Sequence, residues 1–219
     1  LLIDAWRTGV PEGMTMAQVF PEESVDLSLR IRYGKNKSER LAKEVLEKVD
    51  QYCTDYESRI RELGGIGFFL GGIGPDGHIG FNVRGSDHYS TTRLTANNYE
   101  TQAAAAGDLG GIEVARKRLV ITIGLSTITY NLDVVAIIIV AGAAKAQVVR
   151  AAIEEPPSNL YPATVLQKLS NPRFYLTKGA ASQLSERCFE DMKNSEKISE
   201  TTKQFHVLQV ALEKRKKIA

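Results

Sequence analysis

The stretch that decides the fold runs from residue 66 to residue 82 and reads IGFFLGGIGPDGHIGFN. It opens with a short apolar run, residues 66–70, and such a run bounded by glycines is typical of a buried strand in a parallel sheet. The glycine-rich turn that follows carries two strongly polar side chains, Asp76 and His78. Ligands of open α/β sheets bind just beyond the carboxyl ends of the strands, and a carboxylate two residues from an imidazole can hold the orientation of the ring. We therefore expect the chemistry of this protein at Asp76 and His78.

Strands and helices alternate on both sides of this stretch. Residues 38–63 repeat apolar side chains every three or four positions and end at two glycines, which predicts one helix, or two helices broken near Thr54. Residues 119–123 predict a second buried strand, 134–141 a β-branched central strand and 143–153 a helix. Such alternation implies right-handed crossovers. The predicted fold class is α/β: a three-layer αβα sandwich, Rossmann-like, with a mostly parallel sheet.

Shorter patterns predict the remaining elements. These are a short strand near residues 27–31, a helix over 101–106, a short helix from Pro162, a strand over 173–176 and a helix over 180–192. We predict a single domain over residues 1–192, in which 1–37 are poorly assigned and the start of the domain is missing, followed by a helical tail over 193–219. His88 and His206 stand outside any motif and are predicted to be surface residues.

Lys145 is a candidate anion-binding residue. The strand over 134–141 is followed by Gly142 and then by a helix, and this order places a helix N-terminus where anions bind. Lys145 lies in the first turn of that helix, where the helix dipole disfavours a cation unless an anion such as phosphate is bound. Two interpretations stay open: a phosphate-binding lysine and a solvated surface lysine.

Residues 71–82, GGIGPDGHIGFN, resemble the signature of the glucosamine-6-phosphate deaminase (isomerase) family. The G-x-G-x-D-G-H core is shared with the related 6-phosphogluconolactonases, whereas Phe81 and Asn82 resemble the deaminase branch. The resemblance extends from about Tyr52 to Met192. The chain is identified as a divergent member of this family, or a fragment of one that lacks the N-terminal part.

The resemblance implies a role for each residue of the site. His78 would help to open the sugar ring by moving a proton to or from the ring oxygen, and Asp76 would orient it. The substrate-binding residues that it implies are Lys145, which matches the family's phosphate-contacting lysine, and the turn glycines Gly72, Gly74 and Gly77. It implies no metal and no cofactor.

The sequence departs from the family pattern at one position of this turn. The family's second carboxylate, five residues after the histidine, falls at Val83, whose side chain cannot accept a hydrogen bond. The family's phosphate loop and its proton-moving aspartate have no counterpart in residues 1–37. Asp4 and Asp26 lack the sequence context of that aspartate.

Three functions are compatible with these observations. The first is a deaminase and isomerase that converts glucosamine 6-phosphate, or a related amino sugar phosphate, to fructose 6-phosphate and ammonia. The second is a non-catalytic sugar-phosphate-binding module of a larger protein, which the departures favour. The third is a 6-phosphogluconolactonase-type hydrolase, which Phe81 and Asn82 argue against.

Charge, hydropathy and cysteine content limit the binding partners and the cellular location that we expect. A net charge of +2 over 219 residues implies no strong attraction to nucleic acid or membrane, and the longest apolar stretch, 134–144, is too short to span a bilayer. Two cysteines far apart in sequence suggest neither a disulfide scaffold nor a zinc site. We expect a cytoplasmic protein whose partner is a sugar phosphate, and the family resemblance implies a homo-oligomer.

Overall fold

A computed structural model describes residues 9–21, 25–109, 111–113, 119–188 and 205–207. The helices are α1 (Met16–Val19), α2 (Lys37–Glu62), α3 (Tyr99–Leu109), α4 (Leu125–Thr129) and α5 (Ala146–Glu154). The strands are β1 (Phe68–Gly71), β2 (Arg93–Ala96), β3 (Leu119–Thr122), β4 (Val135–Val140), β5 (Pro172–Leu176) and β6 (Phe205–Val207). Three 3-10 helices cover Leu27–Arg30, Ala143–Lys145 and Pro162–Lys168.

The described residues form two compact units. One combines the residues up to 62 with 92–122, and the other combines 63–91 with those from 123 onward. Both units contain residues of the span 1–192, which the sequence predicted to be a single domain.

The second unit is built on a parallel sheet with strand order β1-β4-β5-β6. The predicted strand over 134–141 is the central β4, which pairs in parallel with β1 on one side and with β5 on the other. Since β1 and β4 run in the same direction, the segments that leave their carboxyl ends emerge at the same edge of the sheet. The predicted α/β fold with a parallel sheet is confirmed.

The core of this unit lies on one face of the sheet. Ala136, Ile138 and Val140 of β4 are buried there against α4, α5 and the 3-10 helix Pro162–Lys168. The alternate residues of the strands point to the opposite face, because side chains alternate along a strand. That face carries large apolar side chains that are more than half exposed, namely Phe68 at 59%, Leu70 at 58% and Ile139 at 51%.

The first unit packs around α2, which is a single uninterrupted helix. Its buried side chains Val45 and Leu46 form a core cluster with Val19, Phe20 and Leu29. The prediction of a helix over 38–63 is confirmed, and the alternative of a break near Thr54 is wrong.

The strand predicted over 119–123 does not belong to the parallel sheet. Residues 119–122 form β3, which pairs antiparallel with β2 in a separate two-stranded sheet in the first unit. Of its four residues, Thr122 alone is fully buried. A short apolar run predicts a strand but does not determine its partner, and here the partner is Arg93–Ala96.

Three shorter predictions are corrected. The segment near 27–31 is a 3-10 helix, because the Asp26 side chain accepts a hydrogen bond from Ser28 N–H at 2.8 Å and caps its start. Residues 180–183 are turns, and helix appears at 186–188 after Ser185, whose hydroxyl accepts a hydrogen bond from Cys188 N–H. Residues 205–207 form β6 rather than helix. The rest of the predicted tail lies outside the described residues.

The other predicted elements are present. The helix over 101–106 lies within α3, the strand over 173–176 within β5, and the short helix from Pro162 is of the 3-10 type. Within the described ranges, no helix combines the length and the apolar character needed to cross a lipid bilayer.

Candidate active site

The turn that follows β1 closes on itself through its main chain. Gly74 N–H donates to the His78 carbonyl at 2.9 Å, and Gly77 N–H donates to the Gly74 carbonyl at 3.0 Å. Gly77 has a φ of +82°, in the left-handed region that favours glycine. This folding brings the side chains of Asp76 and His78 together.

Asp76 and His78 form a contact pair. Asp76 is 2% exposed, and its Oδ1 atom hydrogen-bonds to Nδ1 of His78. The other carboxylate oxygen, Oδ2, accepts the main-chain N–H of Arg84 at 2.9 Å. An ionised Asp76 can only accept hydrogen bonds, so Nδ1 carries the proton and Nε2 is the ring nitrogen that can exchange one. The predicted pairing of Asp76 with His78 is present in the structure.

The glycines of the turn allow its close packing. A Cβ on Gly74 would lie 1.9 Å from Cε1 of His78, so a side chain at position 74 would take the place of the imidazole. A Cβ on Gly77 would lie 3.0 Å from the Tyr161 ring, whereas one on Gly72 would be 3.4 Å from the Ile139 carbonyl. The predicted contacts of Gly72, Gly74 and Gly77 with substrate stay predictions.

Lys145 reaches the same turn from the neighbouring strand. It ends the 3-10 helix after β4, directly before α5, and its Nζ atom donates to the Ile73 carbonyl at 3.0 Å. Burial lowers the pKa of Lys145, and the negative charge of Asp76 acts in the opposite direction. Lys145 is therefore close enough to the pair for its charge to interact with Asp76, because β1 and β4 are parallel neighbours.

Two further side chains, to which the sequence analysis assigned no role in the site, support it. Arg84 places its guanidinium 5.3 Å from the centroid of the Tyr161 ring, and that ring packs against Gly77. Asn82 is fully buried and donates to the carbonyls of Ile79, at 3.0 Å, and Ile123, at 2.7 Å. Asn82 was noticed as part of the signature, but its structural role depends on a contact 41 residues away.

The prediction that His88 is a surface residue is wrong. His88 is 7% exposed, and its Nε2 atom lies 3.5 Å from the Thr164 hydroxyl oxygen. Burial, with the charge of Lys168 as a smaller cause, lowers the pKa of His88. The side chain of His206 lies outside the described residues.

Metal-ligating residues do not cluster in the part of the chain that the structure describes: His, Cys, Asp and Glu side chains form no group of three or more that could hold a metal ion.

Comparison with known proteins finds similar proteins that are named glucosamine-6-phosphate deaminase or glucosamine-6-phosphate isomerase. Glucosamine-6-phosphate deaminase 2 of Xenopus tropicalis is 36% identical over 136 residues, which are 60% of this chain and 47% of that protein. Glucosamine-6-phosphate deaminase of Borreliella afzelii is 34% identical over 136 residues, 62% of this chain and 50% of that protein. The chain is similar in sequence to glucosamine-6-phosphate deaminases over about 60% of its length. No family model matches the sequence.

A solved structure agrees with this relationship to the glucosamine-6-phosphate deaminases. It is described as a monomeric glucosamine-6-phosphate deaminase of the NagB superfamily, is 32% identical, and superimposes with a TM-score of 0.55 over 60% of this chain and 54% of that one. The chain spans about half the length of the curated deaminases that it matches. The family resemblance of the signature is thereby confirmed.

Proposed function

We propose that the protein containing this chain is a glucosamine-6-phosphate deaminase. The reaction would isomerise the aldose to a ketose and consume one water, giving fructose 6-phosphate and ammonia. The observation that carries the proposal is the Asp76–His78 pair, held in the turn after β1 in a chain whose named relatives are deaminases.

In this proposal His78 is the acid and base of ring opening. With Nδ1 held by Asp76, the ring moves a proton at Nε2 to or from the ring oxygen of the sugar. Since position 83 is valine, Asp76 is the carboxylate that orients the ring.

Lys145 binds the phosphate of the substrate in this proposal. An ammonium group has three donors, so the hydrogen bond to the Ile73 carbonyl leaves donors for phosphate oxygens. Burial disfavours the charged form of Lys145 and lowers its pKa. A bound phosphate would offset this effect.

The base that moves the proton between sugar carbons 1 and 2 is not assigned to a residue of this chain. Asp26 is committed to other contacts: it caps the 3-10 helix Leu27–Arg30 and pairs with Arg32 at 2.6 Å. Hydrogen bonds from Ser28 and Arg32 lower the pKa of Asp26 to about 2, so it stays ionised near neutral pH.

The proposal is tested by assaying ammonia release and ketose phosphate formation from glucosamine 6-phosphate with the whole protein. We expect turnover that falls by about two orders of magnitude or more in His78→Ala, the usual effect of losing a general acid or base. Asp76→Asn should also lower kcat. Its matched control is Asp133→Asn, since Asp133 is exposed in the loop before β4.

Saturable binding of glucosamine 6-phosphate without turnover would contradict the proposal and favour a sugar-phosphate-binding module. Hydrolysis of 6-phosphogluconolactone instead would favour the lactonase. A cytoplasmic location and a homo-oligomer remain predictions, and the related solved structure is described as monomeric.

A further inference from the structure

The carboxylate of Asp76 is held at both of its oxygens. Oδ1 contacts Nδ1 of His78, and Oδ2 accepts the main-chain N–H of Arg84 at 2.9 Å. Because Asp76 is 2% exposed, water has little access to take over these contacts. The second contact comes from the backbone, so it does not depend on which side chain occupies position 84.

The N–H of Arg84 is fixed by the turn that contains it. Ser86 N–H donates to the Val83 carbonyl at 2.9 Å, and Gly85 has a φ of +90°, which together indicate a type II turn with Arg84 at its second position. Gly85 N–H donates in turn to the Asn159 carbonyl at 2.8 Å. The turn is therefore also anchored to the loop that precedes the 3-10 helix Pro162–Lys168.

We propose that the main-chain N–H of Arg84 positions the Asp76–His78 pair. A carboxylate can rotate about its Cβ–Cγ bond, and a donor on Oδ2 fixes that rotation so that Oδ1 stays against Nδ1 of His78. Asp76 Oδ1 contacts Nδ1 of His78, so a rotation of the Asp76 carboxylate would change the hydrogen bond that holds the imidazole. This proposal depends on the proposed function only in the experiment that measures activity.

Two substitutions at one position isolate this N–H. Arg84→Pro removes it, and Arg84→Ala keeps it. Proline is favoured at the second position of a type II turn, and the residue before it, Val83, lies outside the helices, which suits a residue that precedes proline. Both variants lose the guanidinium and its contact with Tyr161, so the difference between them reports on the N–H.

The first readout does not need activity. We expect the Nδ1–H proton of His78 to be observed by NMR in the wild-type protein and in Arg84→Ala, and to be lost to exchange or shifted in Arg84→Pro. The signal is assigned by its disappearance in His78→Ala. An Nδ1–H signal that is the same in Arg84→Pro and Arg84→Ala would overturn the proposal.

The second readout is kcat for glucosamine 6-phosphate. We expect Arg84→Pro to fall about ten-fold below Arg84→Ala, the size expected for one hydrogen bond to a charged group. Equal kcat values in the two folded variants would overturn the proposal. If the wild-type protein shows no turnover, the proposed function fails, but the NMR comparison still decides the role of Arg84.

A second variant covers the case in which Arg84→Pro does not fold. A Cβ on Gly85 meets no atom within 4 Å, but alanine is strained at a φ of +90°. Gly85→Ala should therefore distort the turn without a clash, move the Arg84 N–H away from Asp76 and change the His78 signal in the same direction. An unchanged signal in Gly85→Ala would overturn the proposal.

Discussion

The Nζ atom of Lys145 lies 3.0 Å from the carbonyl oxygen of Ile73, which joins the segment after β4 to the turn after β1. The two segments are 72 residues apart in sequence and meet because their strands are parallel neighbours. One ammonium group thus belongs both to the local structure and to the proposed phosphate site.

Lys145→Met should weaken the binding of glucosamine 6-phosphate about 10- to 100-fold, since a hydrogen bond to a charged group contributes about 1.5–3 kcal/mol. Calorimetric titration measures this directly. Lys48→Met is the matched control, because Lys48 is exposed on α2. Equal affinity in the Lys145 variant and the control would show that Lys145 does not bind the phosphate.

Gly74→Ala should lower kcat at least 100-fold, because the new Cβ would occupy the position of the His78 ring and turn it out of the site. The expected loss of stability is about 1–3 kcal/mol, as for an overpacked site. Urea unfolding and the deaminase assay measure the two effects. Gly67→Ala is the control, since a Cβ there meets nothing within 4 Å. In a His78→Ala background the stability cost of Gly74→Ala should disappear. If the cost remained, the His78 ring would not be the group with which the new Cβ clashes.

Val83→Glu should raise the deaminase rate of the whole protein, because a second carboxylate would become available to the imidazole. Val83 is half-buried, so Val83→Gln, with the same shape and no charge, is the matched control. An unchanged rate with the fold preserved would mean that Asp76 alone orients His78.

The stability of the protein should fall as the pH is lowered below 6.5, in part because of His88. Burial lowers the pKa of His88 below its ordinary value of 6.5, so the unfolded chain binds a proton at a higher pH than the folded one. The stabilisation is complete above 6.5 and is lost as the pH falls towards the folded pKa. Urea unfolding at pH 7.5 and pH 5.5 measures the change. His88→Gln cannot titrate, so the same change in that variant would exclude His88 as the cause.

The features that the sequence predicted correctly are those that depend on a local pattern of residues. Residues 134–141 are β-branched and uncharged, and they form the central strand β4. The glycines around Asp76 and His78 predicted a tight turn, and the pair is joined within it. The position of Lys145 next to this turn follows from the parallel pairing of β1 with β4, which the structure shows.

What the sequence did not predict depends on partners that are distant in the chain. Residues 119–122 are apolar enough for a central strand, yet their partner is Arg93–Ala96 in a different sheet. His88 stands in a polar stretch and is nevertheless buried beside Thr164. The contact between Arg84 and Asp76 could not be predicted from side-chain chemistry, because the donor is the main-chain N–H of Arg84.

Asn82 determines how the turn that carries His78 can move. Its amide group joins the carbonyl of Ile79 to that of Ile123; the first of these hydrogen bonds is buried and the second is part-buried. Opening the turn would leave these groups unpaired in the interior, which is costly. The segment that carries the imidazole should therefore open rarely, so that its main-chain amides exchange slowly with solvent. In the proposed reaction, substrate would meet an imidazole already in place rather than one delivered by the closure of a loop.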